Sequence, residues 1–404
     1  MSRSNFGTVQ YVSKGKYRVW WEAGRKGDGK RNRPSRIVYG TRDDADLFLA
    51  VKKINALGCD EFTTYDEFWA AKVEPSFSSG NLAIKTIEGY ERVWFRELKP
   101  RIGRDRISST TYSRAEEVLR SVGSAWVRRS AYQLWKKIMN MAAREGVRRD
   151  NPIDRYLRID LPSSAERRLL DASEVMQWME DIRGIKHEAV LLAESGGGLR
   201  HEEASPLLGE NVTPITHRGR LYANVRVDKA LVSTNHGRVL KGVKNGFSQR
   251  DVIIGAPFAE RLLDLAACDG PLCPGGEQRP TDGQIEASCF TSPSTITNNY
   301  RKWCERNGIS YVNPGKLRKS WSTMHGEAGS PDSVVCLTMG HSDGTSRGGN
   351  YQKATRRGMI MIADNLADLI YEESGLAHDG TSFSGKEPDA MLTHRVRPGV
   401  PWSQ

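Results

Sequence analysis

The spacing of apolar residues changes twice along the chain, and this limits the architecture more than any other feature of the sequence. Residues 7–39 alternate in short runs separated by Gly- and Lys-rich turns, a pattern typical of β-strands. Residues 62–158 instead repeat apolar side chains at the spacing of amphipathic helices. From Asp171 onward, helical and strand-like segments are mixed. The chain is therefore predicted to be multidomain and mainly α with small β-sheets, in the α+β class.

These segments are long enough to form separate domains in a chain of 404 residues. The stretch that follows residue 158 combines Pro, Ser and charged residues without a period, as linkers do. The C-terminal stretch has the composition of disorder. The predicted organisation is three strands and a helix at 1–58, a helical domain at 62–158, a linker at 159–170, a mixed domain at 171–373 and a flexible tail at 374–404.

The excess of positive charge indicates a polyanionic partner. The formal net charge is +11 and the sequence pI is about 9.3. Residues 1–58 hold 13 Lys and Arg against five Asp and Glu, so most of the excess lies at the start of the chain. A basic face covered only by water is the alternative, but this clustering favours nucleic acid.

The strands of the first domain and the helices of the second present basic residues that suit such a partner. The helix after the strands is predicted to begin at Thr41 or Asp43 and to end at Gly58. We expect one exposed sheet face and the polar helix faces to bind DNA. The residues assigned to this contact are Lys16, Arg18, Arg36, Arg128, Arg129 and Lys136.

Other patterns argue against a membrane or exported protein. No apolar run approaches the length of a membrane span, and the N-terminal residues lack the apolar core of a signal peptide. The six cysteines are scattered without a CxxC pair, so we expect reduced thiols and no zinc site. The expected location is the cytoplasm, in association with the nucleoid.

In the mixed domain, a triple glycine precedes Arg200. The segment lacks the GK[ST] ending of a P-loop and the GxGxxG spacing of a dinucleotide site, so ATP and NAD are not expected as cofactors. Glycines before a helix start do allow a close approach of the backbone to an anion. The same domain is predicted to contain a strand at 220–227 and a hairpin at 239–254 that turns at Asn245-Gly246.

Five polar residues of this domain together suit chemistry on a phosphodiester. Two are arginines on helix-like segments, one is a lysine beside the Asn-Gly turn, one is a histidine after a glycine, and one is a tyrosine in a Gly-rich stretch. In chain order they are Arg200, Lys244, Arg318, His341 and Tyr351.

Each of the five has a structural alternative when taken alone. The alternative for Arg200 is a surface arginine that pairs with Glu202 or Glu203. Lys244 is more often a solvated lysine at a hairpin tip, and Lys241 competes for its role. The combination, rather than any one member, therefore carries the hypothesis.

The text around these residues resembles the tyrosine recombinases, or phage integrases. GGLRHEEASPL is similar to their first-arginine box and KNGFSQRDVII to their lysine hairpin. LRKSWSTMHGEAGSPDSVVCLTMGHSDGTSRGGNY is similar to their second box, with its Leu-Arg, Gly-His and closing Tyr. The resemblance covers 171–371. It implies a core-binding domain at 62–158 and an arm-binding domain at 1–58.

Two positions depart from the family pattern. The family usually has a His three residues before its second Arg, and this sequence has Gly315 there. Lys316 is a candidate substitute, although it is out of register by one. The step of ten residues from His341 to Tyr351 is one longer than usual, which glycines can absorb. The first departure concerns the handling of the tyrosine proton.

The resemblance implies a metal-independent strand-exchange enzyme without a cofactor. Tyr351 would attack the phosphate and form a 3′-phosphotyrosyl link with release of a 5′-hydroxyl. Arg200 and Arg318 would bind the non-bridging oxygens, since a guanidinium donates to two at once. His341 would donate a further hydrogen bond. Lys244 would protonate the departing oxygen.

The implied partners are double-stranded attachment-site DNA and three further copies of the chain in a homotetramer on synapsed DNA. The resemblance also leaves room for an accessory DNA-bending or directionality factor. The implied function is integration or excision of a mobile element. Two rival functions remain, a topoisomerase-like enzyme that nicks and reseals, and a DNA-binding relative with impaired catalysis. The 357–371 helix would dock on a neighbouring protomer or on its own core.

Overall fold

The computed structural model describes residues 6–23, 31–78, 82–153, 168–242, 249–276, 286–341 and 354–376. The chain divides into two compact units, residues 1–165 and 166–404. Helices with small antiparallel sheets make up both units, which confirms the predicted α+β class. Within the described ranges, none of the helices combines the length and apolar content that a membrane span requires.

The first unit begins with an antiparallel three-stranded sheet that packs against one helix. Its elements are β1 (Gly7–Ser13), β2 (Lys16–Trp21), β3 (Ser35–Tyr39) and α1 (Arg42–Leu57). Thr41 caps α1 in a capping box with Asp44, and Gly58 ends the helix with a φ of 84°. Val9, Val19 and Ala45 form the small core between sheet and helix.

The strand register separates the basic residues that were expected on one sheet face. Residues directly opposite each other in an antiparallel pair point to the same side. Arg36 lies opposite the buried Val19, and its guanidinium lies 5.7 Å from the ring centroid of Phe48 on α1. Arg36 is therefore on the helix side of the sheet. The prediction that Arg36 shares a sheet face with Lys16 and Arg18 was wrong. The strand register decides on which face a side chain lies, and exposure does not.

Lys16 and Arg18 occupy the other face together with exposed aromatic rings. Lys16 lies opposite Tyr39 in the register, with its Nζ 5.7 Å from the ring centroid. Arg18 lies 5.9 Å from the centroid of Trp20. Their assignment to DNA stays a prediction.

Helices build the rest of the first unit. They are α2 (Tyr65–Phe68), α3 (Glu74–Ser78), α4 (Ile84–Val93), α5 (Lys99–Ile102), α6 (Tyr112–Arg120) and α7 (Ala125–Arg144). π-helical turns join α2 to α3 (Trp69–Val73) and α4 to α5 (Trp94–Leu98). The Trp that opens each turn stacks on the other with ring centroids 4.5 Å apart. Both rings are buried in the helical core.

The basic residues of α7 lie in two different environments. Arg128 donates from Nε and Nη2 to the carbonyl of Val122, at 3.2 and 3.0 Å, and so closes the turn before the helix. Arg129 is exposed, and Lys136 follows it by seven positions on the same helix face. Of the three α7 residues assigned to DNA, Arg129 and Lys136 thus point away from the helical core.

The second unit surrounds one large core with helices. They are α8 (Val175–Asp181), α9 (Glu188–Gly197), α10 (His201–Ala204), α11 (Phe258–Ala266), α12 (Pro293–Asn307), α13 (Pro314–Glu327), α14 (Asp332–Thr338) and α15 (Arg356–Glu373). The apolar α9 is buried along its whole length, and α11 and α13 both pack against it. This central helix ends immediately before Arg200.

Two antiparallel sheets complete the second unit. β4 (Val212–His217), β5 (Arg220–Val227) and β8 (Arg250–Ile254) form one sheet in the order β4-β5-β8, while β6 (Lys229–Thr234) and β7 (Gly237–Gly242) form a hairpin. The predicted hairpin at 239–254 is wrong, since β7 pairs with β6 and β8 pairs with β5. The turn lies at Asn235-His236. The segment 229–234, which was not predicted as a strand, buries three apolar residues and supplies the competing partner.

Two segments at the ends of the second unit differ from the expectations. Leu170 is 2% exposed and donates its N–H to the hydroxyl of Ser320, at 2.8 Å, so the last residues of the expected linker belong to this unit. Residues 154–167 lie outside the described ranges. The apolar face of α15 is buried in its own unit, with Ile362, Leu366 and Ile370 in the main core. The structure therefore favours the second of the two expectations for this helix, packing on its own core, over docking on a neighbouring protomer.

Candidate functional site

Arg318 on α13 lies where several elements of the second unit meet. Its Nη1 donates to the carbonyl of Gly198 at 2.5 Å. Its Nη2 donates to the carbonyl of Met339 at 2.8 Å and to Nε2 of His341 at 3.0 Å. A guanidinium has five N–H donors, and the described contacts of Arg318 use three of them. The other two are available to an oxyanion as far as the described contacts go.

The turn after α14 presents His341 to Arg318. The N–H of His341 donates to the carbonyl of Cys336 at 3.0 Å, and that of Gly340 to the carbonyl of Leu337 at 2.9 Å. This pair of bonds is a Schellman motif, which needs a left-handed residue after the helix. Gly340 meets the requirement with a φ of 71°. The Gly-His pair of the sequence is therefore a helix stop that fixes the histidine.

The triple glycine has a packing role. Gly196 and Gly197 belong to α9, where a Cβ would lie 2.9 Å from side-chain carbons of Ile254. Gly198 ends the helix with a φ of 62°, and a Cβ there would lie 2.6 Å from the ring of Trp321. The carbonyl of Gly196 accepts from Nε1 of Trp321 at 2.9 Å. Gly196 and Gly197 thus allow β8 to approach α9, and Gly198 allows α13 to do so, which brings Arg318 toward Arg200.

Arg200, at the start of α10, shares a carboxylate with a second arginine. Its Nη1 donates to Oε1 of Glu203 at 2.5 Å, and its backbone N–H donates to Oε2 at 3.0 Å. Nη2 of Arg250 donates to the same Oε2 at 2.9 Å, and Nε of Arg250 donates to the carbonyl of Thr338 at 2.7 Å. Arg200 does pair with Glu203, as the surface alternative required, but that carboxylate is buried.

The site collects positive charge in a partly dry environment. Burial, followed by repulsion from Arg200, lowers the pKa of Arg318 to about 9, so the guanidinium still carries its charge at neutral pH. Burial and then the charge of Arg318 lower the pKa of His341, which is therefore neutral at pH 7. Burial opposes the ionisation of Glu203, but the hydrogen bond and charge of Arg250 lower its pKa. Three guanidinium groups face one carboxylate, which suits an anion.

A buried pair lies directly beside this cluster. Nδ1 of His201 lies 2.5 Å from Oε1 of Glu194, and its Nε2 lies 2.7 Å from the carbonyl of Pro293 at the start of α12. Glu194 is fully buried. Since both ring nitrogens face acceptors, the pair must hold a proton between Nδ1 and Oε1. The residue after Arg200 is thus locked to α9 and α12.

The role of Lys316 as the substitute for the missing histidine stays a prediction. Gly315 is exposed in the first turn of α13, three positions before Arg318. Lys316 lies in the same turn, two positions before Arg318, a spacing at which residues of a helix do not face each other. Lys241 lies on β7, half-buried and opposite Ala230. The assigned general acid Lys244 and nucleophile Tyr351 lie outside the described residues and stay predictions.

The structure therefore brings together Arg200, Arg318 and His341 and adds Glu203 and Arg250, whose part in the site the sequence reading missed. Glu203 follows Arg200 by the spacing at which a carboxylate reaches back to a helix start, so this contact was readable. Arg250 has the same strand parity as the buried Val252, which was a weaker signal. In the part of the chain that the structure describes, no group of three or more His, Cys, Asp or Glu residues is arranged to hold a metal ion.

Comparisons with known proteins identify the fold. No protein-family model matches the sequence, and a search of curated proteins found no match. Among solved structures, a fragment of the Tn1549 transposon integrase in complex with circular intermediate DNA is 18% identical, covering 74% of this chain and 98% of that chain with a TM-score of 0.56. A variant of the same fragment with transposon right end DNA is 19% identical, covering 76% and 100% with a TM-score of 0.55. The chain therefore has the fold of the tyrosine recombinase integrases.

Proposed function

We propose that this protein is a site-specific recombinase that cleaves and rejoins DNA through a 3′-phosphotyrosyl intermediate. The observation that carries the proposal is the convergence of Arg200, Arg318 and His341, from three separate elements, in a cluster with excess positive charge. A metal-free phosphoryl transfer requires preorganised cations at the non-bridging oxygens. The DNA complexes of the integrases with this fold support DNA as the substrate.

In the proposed reaction, Arg200 and Arg318 bind the scissile phosphate. Non-bridging oxygens of the phosphate accept hydrogen bonds from the two N–H donors that the described contacts of Arg318 leave available. Nε2 of neutral His341 now accepts from Arg318. Once the phosphate takes over that donor, the ring adopts the tautomer with its proton on Nε2 and donates from there to a non-bridging oxygen. The hydroxyl of Tyr351 attacks phosphorus and loses its proton, the bond to the 5′-oxygen breaks, and Lys244 protonates that oxygen. A 5′-hydroxyl of a second strand reverses the steps.

No residue is assigned as the acceptor of the tyrosine proton, because position 315, where the family usually has a histidine, holds a glycine. This supports one rival function, a DNA-binding relative with impaired catalysis. The second rival, nicking and resealing alone, shares the covalent step. Integration or excision of a mobile element, a homotetramer on attachment-site DNA, an accessory factor and a location on the nucleoid complete the proposal by resemblance.

The covalent intermediate gives the decisive test. The full chain is incubated with duplex DNA from the ends of the mobile element that encodes it. The duplex is nicked close to the cleavage site, so that the short fragment with the released 5′-hydroxyl diffuses away. We expect a protein–DNA adduct that resists denaturation in the wild type and is absent in Tyr351→Phe. The variant lacks only the attacking oxygen and should retain its DNA affinity in a gel-shift assay.

An intact wild-type protein that binds this DNA and forms no adduct would favour the impaired relative. Strand exchange between two differently labelled duplexes then separates the recombinase from a topoisomerase-like enzyme. Relaxation of supercoils without exchange would support the latter.

A further inference from the structure

Arg250 is a buried cation inside the second unit. It is the first residue of β8 and shares its strand face with Val252 and Ile254, which lie in the main core. Its side chain is only 6% exposed. A buried charge is costly unless it is paired and hydrogen-bonded, so its partners decide what it does.

One partner connects Arg250 to Arg200. Glu203 is 4% exposed. Its Oε2 accepts a hydrogen bond from Nη2 of Arg250, and its Oε1 accepts one from Nη1 of Arg200. A carboxylate with two cations binds each of them less tightly than a carboxylate with one. Without Arg250, Arg200 would be the cation that is hydrogen-bonded to Glu203 among the described contacts, and the carboxylate would compete with a phosphate for that guanidinium.

A second described partner connects Arg250 to the turn that holds His341. Its Nε donates to the carbonyl of Thr338, the last residue of α14, and the next carbonyl, of Met339, accepts from Arg318. Carbonyls at a helix C-terminus carry partial negative charge, which cations stabilise. Two arginines from different elements thus hold adjacent carbonyls just before His341.

We propose that Arg250 is a positioning residue of the phosphate site, which holds Arg200 through Glu203 and His341 through the end of α14. The proposal rests on the proposed function of the same site. In the described contacts Arg250 donates to protein acceptors, so it acts on the reaction through the residues that would contact the phosphate.

The test compares Arg250→Met with Arg226→Met in single-turnover adduct formation by the full chain. Arg226 is an exposed arginine on the neighbouring strand β5, so its replacement removes the same charge from the surface. We expect Arg250→Met to slow adduct formation about 100-fold, the effect typical of misplaced catalytic groups, with DNA affinity equal to that of Arg226→Met. An Arg250→Met protein with the rate of the control would refute the inference.

A double variant separates positioning from general support of the fold. Glu203→Gln removes the carboxylate that would capture Arg200, so we expect Arg250→Met with Glu203→Gln to recover about 10-fold in rate over Arg250→Met. Arg250→Lys retains the charge and should lie between wild type and Arg250→Met, and it decides the question if Arg250→Met does not fold. A slow double variant that folds and binds DNA normally would count against the inference.

A second readout does not depend on activity. Arg250 contributes to the repulsion that lowers the pKa of His341, so its removal should raise that pKa in an NMR titration of the protein without DNA. If the wild type forms no adduct, the proposed function fails, while this titration still decides the inference. A His341 that titrates identically in wild type and Arg250→Met would contradict it.

Discussion

Two buried residues beside Arg200 contribute to the way in which the stability of the second unit depends on pH. Burial opposes the charge on His201, but the charge of Glu194 raises its pKa above the ordinary 6.5, and burial raises the pKa of Glu194. Both groups therefore hold protons more firmly in the folded chain than in the unfolded one. The stabilisation by His201 is complete below pH 6.5 and is lost as the pH rises through its folded pKa.

Glu194→Gln should remove this pH dependence. The amide of a glutamine can donate to Nδ1 of a neutral imidazole whose Nε2–H binds the carbonyl of Pro293, so no shared proton is needed. We expect the free energy of unfolding of the wild type to fall as the pH rises above 6.5 through the raised pKa of His201, and that of the variant to fall much less. Urea unfolding over a series of pH values from 6.5 upward measures the difference. His217→Gln, at an exposed histidine of β4, is the control and should keep the wild-type slope.

Finding the wild-type slope in Glu194→Gln would place the titrating proton elsewhere. The Glu194–His201 pair was not predicted from sequence. Seven positions separate the two residues, and no signal in the sequence shows that α9 turns sharply into α10. The Arg200–Glu203 spacing, by contrast, is local and readable. Residue-level prediction succeeded where both partners lie within one turn of helix.

At the scale of elements, the end of α14 fixes the position of His341. An alanine at position 340 would have to adopt a φ of 71°, which costs an L-residue about 1–2 kcal/mol. Gly340→Ala should therefore lower the free energy of unfolding by about 1 kcal/mol and slow adduct formation, because the histidine turn relaxes. Chemical denaturation and the adduct assay measure the two effects.

Gly326→Ala is the matched control for this prediction. Gly326 lies in α13 with open space around its Cα, so alanine should stabilise the helix by about 0.5–1 kcal/mol and leave the adduct rate unchanged. Equal effects of the two substitutions would show that the left-handed turn is not what holds His341.

Local sequence signals predicted most elements, and tertiary pairing decided the exceptions. Thr41 and Gly58 bounded α1 as expected, since caps depend on a few adjacent residues. The Asn-Gly pair misled the hairpin assignment, because β5 and β6 offered nearby partners to β8 and β7. The face of Arg36 likewise depends on a register that no single strand specifies.

The whole molecule contains two units with their own cores. The helical core around Trp135 and the core around α9 share no residue. Units with separate cores need not unfold together, so a single two-state transition is not expected. We expect two calorimetric transitions.

Matched core substitutions assign the transitions. Leu134 on α7 and Leu192 on α9 are both fully buried. Each alanine variant should lose about 2–5 kcal/mol, and Leu134→Ala should lower the midpoint of one transition while Leu192→Ala lowers that of the other. A single transition that both substitutions shift equally would show that the units unfold as one.

The cluster around Arg318 also determines when the chain becomes competent. Its contacts join residues 47, 88 and 120 positions apart in sequence. Contacts over such distances form late, because the entropy of closing long loops must be offset before they add stability. Helices and turns therefore exist before the phosphate site does. A nascent or misfolded copy would consequently lack the assembled arginine cluster, so under the proposed function the order of folding would prevent a premature cut in DNA.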